Sequence, residues 1–513
     1  MKLNSKQIIQ ATGGRFLVEP IDSAEIFSRL EWDSRDAGPG VLFAAMPGER
    51  VDGIDFVGTA LAAGARGALV EAMPDAKTCA YAREMGAAII EVPCVAHAIA
   101  DIAREWRGHL KARVIGLTGS VGKTTTKNFV RDVCASQFKT VATRANQNNE
   151  LGAPKTILNA DPDTQVVIVE MGMRGPGQIS ELCDIVRPDW GIITNVGQSH
   201  IELLGSRDAI AHAKSELLDA LPAGTGVAFL NAADDYTAQI EQWSGLAARG
   251  VRTLKYGQGG AIYAYDVELD AAGCPTFKLC INNAEGDAST TSARESFVGS
   301  SQADTSAEDT AAIDGEPRLF DLPQDDSCVR TTLALRGLHN VSNALAAAAV
   351  GCALGIPLSQ IAQALADSAP EAGRQQVLHA PNGATIINDA YNANPESMRA
   401  SLKTFEAMDV LGRRIAVLGD MGELGDFTAP AHAAIGELCA RLPLNLLICV
   451  GVKAQTIADA ALEAGMPAGA LRRAQTAGEA LCMLEGELDS HDAVLVKASH
   501  SMRLDKVAEG LVS

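Results

Sequence analysis

The stretch GLTGSVGKTTTKNFV, residues 116–130, decides how the rest of the chain is read. Val114, Ile115 and Leu117 form an apolar run at its start, and a segment with helical spacing follows the glycines. That order is strand, glycine loop, helix. Such a loop turns the backbone N–H groups of Gly119, Ser120, Val121 and Gly122 toward an anion at a helix N-terminus. Lys123 can reach terminal phosphates, and the hydroxyl of Thr124, with Thr125 beside it, can ligate Mg²⁺. The strict phosphate-loop pattern has glycine where this chain has Leu117, so the loop is the shortened T-G-x-x-G-K-T form. A glycine turn built only for structure has no need of Lys and Thr next to it.

The chain has 513 residues, too many for one ordinary core, and its length suggests three domains. With 63 acidic against 43 basic residues the net charge is −20, which argues against nucleic acid or an anionic membrane surface as the main partner. The eleven cysteines are scattered from Cys79 to Cys482 with no C-x-x-C pair and no zinc spacing, so they read as small core residues kept reduced. The start, MKLNSKQIIQATGG, lacks the apolar region of a secretory signal, and the Ala-rich stretch 343–356 is too short to span a bilayer. A cytoplasmic enzyme without membrane insertion is expected.

Short apolar strands at 41–45, 68–70 and 88–92 alternate with Ala-rich helical patterns and predict a small N-terminal α/β domain, residues 1–108. Strands at 114–117, 165–170, 191–195 and 227–231 predict a central domain, 109–370, with a parallel sheet covered on both faces and ligands at its carboxyl ends. Within it, about 283–327 is rich in Ser, Thr, Ala and acids with little to bury, the composition of a disordered surface insertion. Strands at 384–388, 414–418, 446–450 and 493–497 predict a C-terminal Rossmann-like α/β domain, 371–513.

Chemistry collects at the ends of these strands. Glu170 closes VIVEMG about fifty residues after the loop, where a carboxylate can ligate Mg²⁺ beside phosphates. TNVGQSHIE brings Asn195, His200 and Glu202 to the next strand end, as metal or substrate-orienting groups. Lys214 sits in a largely apolar helical context, where a lysine usually snorkels to the surface; a buried one would lose its proton and could take up CO₂ as a carbamate. GLHNVSN offers His339, Asn340 and Asn343, one amide to cap a helix and the rest suited to a purine edge. Arg374 supplies a phosphate-pairing guanidinium, Asp389 a ribose-binding acid, and residues 420–425 a polar glycine loop.

Eight motifs, TGSVGKTTTK, TRANQNNELGAP, VEMGMRGPGQI, TNVGQSHIE, AKSELL, GLHNVSNALAA, NDAYNANPESM and VLGDMGELG, resemble in order and spacing the Mur ligases of peptidoglycan synthesis. The resemblance covers nearly the whole chain apart from the acidic insertion, and within the family it is nearest the members that add D-alanyl-D-alanine. It implies a three-domain ATP- and Mg²⁺-dependent amide ligase, monomeric, that phosphorylates the terminal carboxylate of UDP-N-acetylmuramoyl-tripeptide and lets the dipeptide amine displace the phosphate. By the same resemblance Lys123, Glu170, His200 and Lys214 are catalytic. Thr124, Glu170, His200 and a carbamylated Lys214 hold metal, and His339, Asn340, Asn343, Arg374 and Asp389 contact the nucleotide. Asn146, Asn148 and Asn149 face the UDP-sugar, Ser34 and Arg35 the uridine, and Tyr391, Asn392, Asn394 and Pro395 lie near the amine substrate.

Two stretches depart from the family pattern: Ile54 follows the DG pair where many relatives have His, and KASHSMR stands at Lys497 in place of the usual KGSRGMR. A sister ligase adding diaminopimelate or lysine is the near alternative, but the D-N-P-R run expected of diaminopimelate adders is absent and YNANP is present. A nucleotide-binding module without catalysis is the other. The intact Lys123, Glu170, His200 and Lys214 speak against it.

Overall fold

The computed structural model describes residues 1–48, 51–282 and 327–513. Apart from Ser327, the expected insertion at about 283–327 lies outside them. Three sheets organise the molecule. The N-terminal sheet has five strands in the order Arg15–Val18, Ala88–Glu91, Gly67–Val70, Val41–Ala44, Arg29–Glu31, the first pair antiparallel and the others parallel. The C-terminal sheet has six, running from Gln376–His379 through Thr385–Asn388, Ala493–Lys497, Arg414–Gly419 and Leu446–Val450 to Leu471–Ala474. Only its first pair is antiparallel.

The central sheet has nine strands, and its middle positions the site. Arg113–Thr118 lies between Val166–Glu170 and Trp190–Ile193, all parallel. These are near-continuous aliphatic runs such as VVIVE and WGII, buried along their length, as strands covered on both faces must be. The chain leaves Arg113–Thr118 toward Thr140–Ala142 and Val166–Glu170 on one side, then crosses to Trp190–Ile193 on the other. That reversal opens a crevice at the carboxyl ends of the strands, where open α/β sheets bind ligands.

The far edge differs from the parallel sheet the strand pattern predicts. Ile262–Leu269 and Pro275–Ile281 pair antiparallel, as do Pro275–Ile281 and Ser327–Thr332. The first of these is half exposed and carries a register shift between Tyr265 and Glu268, so its sequence lacks the clean apolar signal of the buried strands. This pairing also corrects the reading of the cysteines. Cys280 and Cys328, opposite each other across the two strands with Cα atoms 4.2 Å apart, form a disulfide; most of the nine free cysteines are buried as expected. A separation of 48 residues hides such a pair from any spacing rule.

Polar anchors tie the N-terminal and central sheets together. Helix Val95–His109 packs on central helices Gly152–Leu158 and Gln178–Val186, with Trp106 Nε1 donating to the Ala160 carbonyl at 2.9 Å and Arg107 Nε donating to that of Val186 at 3.0 Å. Lys155, nearly buried, pairs with Glu31 at 2.6 Å. No helix among the described residues is long and apolar enough to cross a membrane.

Candidate active site

A cleft of about 1800 Å³ opens at the crevice, lined by residues around the central and C-terminal sheets and, from the N-terminal side, by helix Val95–His109. Its floor is the loop between strand Arg113–Thr118 and helix Lys123–Ala135. Gly119, at φ +155°, lies against Thr194: a Cβ there would stand 1.9 Å from Thr194 Oγ1, so glycine is obligatory. Gly122, at φ +81°, starts the helix in the left-handed region that glycine adopts without strain. Lys123 Nζ donates to the Gly119 carbonyl at 2.8 Å, curling over the loop, and burial pushes its pKa down against the opposing pull of Glu170.

Asn195 is a clamp on this loop. Its Oδ1 accepts from the Val121 N–H at 3.0 Å, its Nδ2 donates to the Val121 carbonyl at 2.9 Å, and its own carbonyl accepts from Ser120 N–H at 3.0 Å. Gly197 N–H and Ser199 Oγ donate to Ser120 Oγ and to the Ser120 carbonyl at 2.8 and 3.1 Å. The shape of the loop is thus fixed by contacts within the protein.

Glu170 is 1% exposed. Its Oε1 accepts from Thr124 Oγ1 at 3.2 Å and from Asn148 Nδ2 at 2.9 Å; its Oε2 is buried with no partner. A buried, unpaired carboxylate oxygen is costly, and a divalent cation beside the Thr124 hydroxyl would satisfy it. Among the described residues no group of three His, Cys, Asp or Glu is placed to hold a metal alone, so such an ion needs phosphate oxygens and water to complete its shell.

His200 sits on the cleft wall at φ +64°, its Nδ1 2.6 Å from Glu423 Oε2 of the C-terminal loop. That contact helps hold the Glu423 carboxyl below the usual carboxylate range. Lys214, on helix Arg207–Asp219, is 1% exposed and makes no hydrogen bond or ion pair with another described residue, so it does not snorkel. Burial, with Lys123 nearby, drives its pKa well below the ordinary lysine value. It does not line the cleft.

The C-terminal sheet supplies the opposite wall. An Arg374 terminal nitrogen donates to Thr124 Oγ1 at 2.9 Å, and its guanidinium lies 4.0 Å from the Tyr391 ring centroid. Asp389 is engaged on both oxygens, accepting from Lys497 Nζ (2.7 Å), Gln375 Nε2 (3.0 Å), Ser401 Oγ (2.8 Å) and the Gln375 N–H (3.2 Å). The Lys497 side chain, 3% exposed, also donates to the Asn392 carbonyl at 3.1 Å, so the departure at KASHSMR leaves the lysine itself buried and paired.

Asn394 caps helix Pro395–Ala407, with Pro395 at its first position, and donates through Nδ2 to Ser199 Oγ at 2.7 Å. Tyr391 and Asn392 line the cleft, as do Asn146, Asn148 and Asn149. Asn149 Oδ1 accepts from the Gly152 N–H. Helix His339–Ala353 begins after Leu338 with no side-chain cap, so Asn340 and Asn343 lie inside it and cap nothing. They form a chain instead: Asn343 Nδ2 donates to Asn340 Oδ1 at 2.9 Å, and Asn343 Oδ1 accepts from Thr126 Oγ1 of the loop helix at 3.1 Å. His339 lines the cleft, its pKa lowered by burial. Ser34 and Arg35 stay apart from this cleft; Arg35 pairs with Asp33 in a short 3₁₀ turn.

Sequence reasoning passed over Glu396, Glu423 and the pairing of Lys497. Each acts through a partner 100 or more residues away, for which a linear pattern carries no signal.

Comparison with known proteins places this architecture. The family descriptions "Mur ligase family, catalytic domain", "Mur ligase middle domain" and "Mur ligase, glutamate ligase domain" match residues 27–107, 117–351 and 373–500. The UDP-N-acetylmuramoyl-tripeptide–D-alanyl-D-alanine ligase of Mycobacterium tuberculosis is 34% identical across 100% of this chain and 98% of its own. The chain belongs to the Mur ligase family. The Bacillus subtilis ligase of the same name is 29% identical to this Mur ligase over 100% of the chain and 99% of its own. Among solved structures, MurF from Acinetobacter baumannii superposes with a TM-score of 0.78 at 30% identity, covering 100% of this Mur ligase and 99% of that chain. MurF from Thermotoga maritima, solved with ADP, shares the fold at a TM-score of 0.71 and 24% identity, over 94% and 96% of the two chains.

Proposed function

We propose that this Mur ligase joins D-alanyl-D-alanine to the terminal carboxyl of UDP-N-acetylmuramoyl-tripeptide through an acyl phosphate, releasing UDP-N-acetylmuramoyl-pentapeptide, ADP and phosphate in peptidoglycan precursor synthesis. The observation that carries this reading is the end-to-end identity with an enzyme of that name. A carboxylate is a poor electrophile, and phosphorylation gives it a leaving group. Because the reactants are anions, the protein's main tasks are charge neutralisation and positioning.

In this reading the residues divide the work. Gly119 to Thr125 cradle the ATP phosphates, with Lys123 and Arg374 setting positive charge on either side of Thr124. Thr124 and Glu170, with His200 and Lys214, would hold Mg²⁺, which supplies charge neutralisation to the transferring phosphate. The unpaired oxygen of Glu170 supports the first pair. Burial makes the Lys214 amine give up its proton more easily, and the neutral amine is the form that takes up CO₂, releasing a proton to leave a carbamate oxygen ligand. His339, Asn340, Asn343 and Asp389 serve the nucleoside, Asp389 as part of a ring of paired groups. Asn146, Asn148 and Asn149, with Ser34 and Arg35, serve the UDP-sugar; Tyr391, Asn392, Asn394 and Pro395 serve the dipeptide. We place domain limits at 1–108, 109–370 and 371–513 and take the enzyme as a cytoplasmic monomer.

The test is phosphate release from ATP with Mg²⁺ and UDP-N-acetylmuramoyl-tripeptide, with and without D-alanyl-D-alanine. Release that needs both substrates and yields the pentapeptide nucleotide is the expected result. Release indifferent to the dipeptide would move the assignment to a sister ligase.

A further inference from the structure

We propose that Glu396 is the general base that receives the ammonium group of the incoming dipeptide. The inference rests on the ligase reading above and adds to it a residue and a proton path. Glu396 is the second residue of helix Pro395–Ala407 and lines the cleft. Its Oε1 accepts the backbone N–H of Gln198 at 3.1 Å, while its Oε2 is buried with no partner. It forms no ion pair with any described residue.

The carboxyl packs against Gly197 and Gln198, the segment that braces the phosphate loop. A Cβ placed on Gly197 would stand 3.2 Å from Glu396 Cδ and 3.3 Å from Ser120 Cβ, so a glycine at 197 is what lets the acid approach the loop. The register is pinned from the same turn, since Asn394 Nδ2 donates to Ser199 Oγ, which donates to the Ser120 carbonyl. A carboxyl oxygen without a partner therefore stands at the edge of a cleft that must also take phosphates. A cation entering there satisfies it. The other unpaired carboxylate oxygen, on Glu170, is hydrogen-bonded through its partner atom to Thr124, and the metal belongs there. Glu396 lies instead against Ser120 and Gly197, and the remaining cation the reaction brings is the substrate ammonium.

The chemistry requires such a group. An ammonium has no lone pair, so the dipeptide must lose a proton before it attacks. Glu396 Oε2 takes that proton, and the neutral amine nitrogen bonds to the acyl carbon. The bond from that carbon to the phosphate oxygen breaks, and phosphate leaves with the electron pair and the second nitrogen-bound proton. Glu396 then returns its proton to water.

The experiment compares two nucleophiles on wild type, Glu396→Gln and Glu396→Asp, each with ATP, Mg²⁺ and UDP-N-acetylmuramoyl-tripeptide. D-Alanyl-D-alanine arrives protonated and needs the base; hydroxylamine is neutral near pH 7 and traps the acyl phosphate as a hydroxamate without it. Glu396→Gln is expected to lose about 10²- to 10⁴-fold in kcat/KM for the dipeptide, the usual share of general base catalysis, and to keep the wild-type hydroxamate rate. Glu396→Asp, which retains a carboxylate, is expected to recover part of the loss. Equal losses with both nucleophiles would overturn the proposal, because Glu396 would then be holding the phosphate loop or a metal. Unchanged dipeptide kinetics would overturn it as well. No hydroxamate from wild type would instead strike the acyl phosphate, and with it the reading on which the proposal stands.

Discussion

The two walls of the cleft are built in different ways. The phosphate loop is made close to home: Lys123 reaches back four residues to Gly119, and the clamp Asn195, 74 residues on from Val121, follows just after the adjacent strand Trp190–Ile193. The C-terminal wall is made by partners far apart. Arg374 meets Thr124 across 250 residues, Glu396 meets Gln198 across 198, and Lys497 meets Asp389 across 108. Local construction fixes the loop's own shape from within the central domain. Long-range construction makes the other wall depend on how the C-terminal domain sits, as expected where domains close to keep water from a reactive acyl phosphate.

The largest effect is expected on the local wall. Lys123→Ala should lower turnover at least about 10³-fold, because a cation fixed beside the transferring phosphoryl group is lost. Its fold should persist, since Lys123 bonds only within the loop. Phosphate release paired with a thermal melt checks both halves. Unchanged turnover would remove Lys123 from the phosphate role, and with it the contrast between the walls.

On the distant wall, Asp389→Asn should act on stability first. The Lys497 ammonium is buried and would lose its carboxylate, and breaking a buried pair on one side costs roughly 3–5 kcal/mol. Denaturant midpoints measure this, and the double variant Asp389→Asn/Lys497→Met should regain part of the loss. A single variant as stable as wild type would mean that Gln375 and Ser401 suffice to hold the wall. Arg374→Ala is expected to cost about 10²-fold in kcat/KM, on the scale of one charged donor lost from a preorganised site. Arg374→Lys should recover little, because the stacking on Tyr391 and the reach to Thr124 both need a planar fork. Full activity in the lysine variant would show that charge alone matters there.

The same contrast explains what could be read from the chain. The strand, loop and helix at 113–135 were legible because apolar runs, glycines and a Lys-Thr pair are local signals with local causes. The antiparallel edge was not, since strand Ile262–Leu269 is half exposed, with Asp266 and Glu268 interrupting its apolar run, and takes its identity from its neighbours. Asn340 illustrates the limit within the site. Its motif was visible, but a helix that starts without a side-chain cap left that amide free to bond to the Arg336 carbonyl and Asn343. Glu396 looks in sequence like any acid in a first helical turn, and only the approach of Gly197 and Ser120 distinguishes it.

The smallest effect on stability is expected at Lys214, behind the local wall, and it has the opposite sign. With bicarbonate present Lys214→Met should abolish turnover; in bicarbonate-free buffer it should stabilise the fold relative to wild type, because a buried amine that bonds to no described residue is exchanged for an apolar chain of similar length, a gain of roughly 1–3 kcal/mol. Its pH dependence follows from the depressed pKa. Between that value and the ordinary 10.5 the unfolded lysine is protonated and the folded one is not, so the unfolded state binds more protons and wild-type stability rises with pH. The variant has no such group. Its advantage is therefore greatest at the low end of that window and closes as pH approaches 10.5. Urea midpoints for both proteins at neutral pH and near pH 9.5 should converge. Parallel lines would mean that Lys214 stays protonated in the folded protein. It could not then take up CO₂, and the local wall would have to find its remaining metal ligand elsewhere.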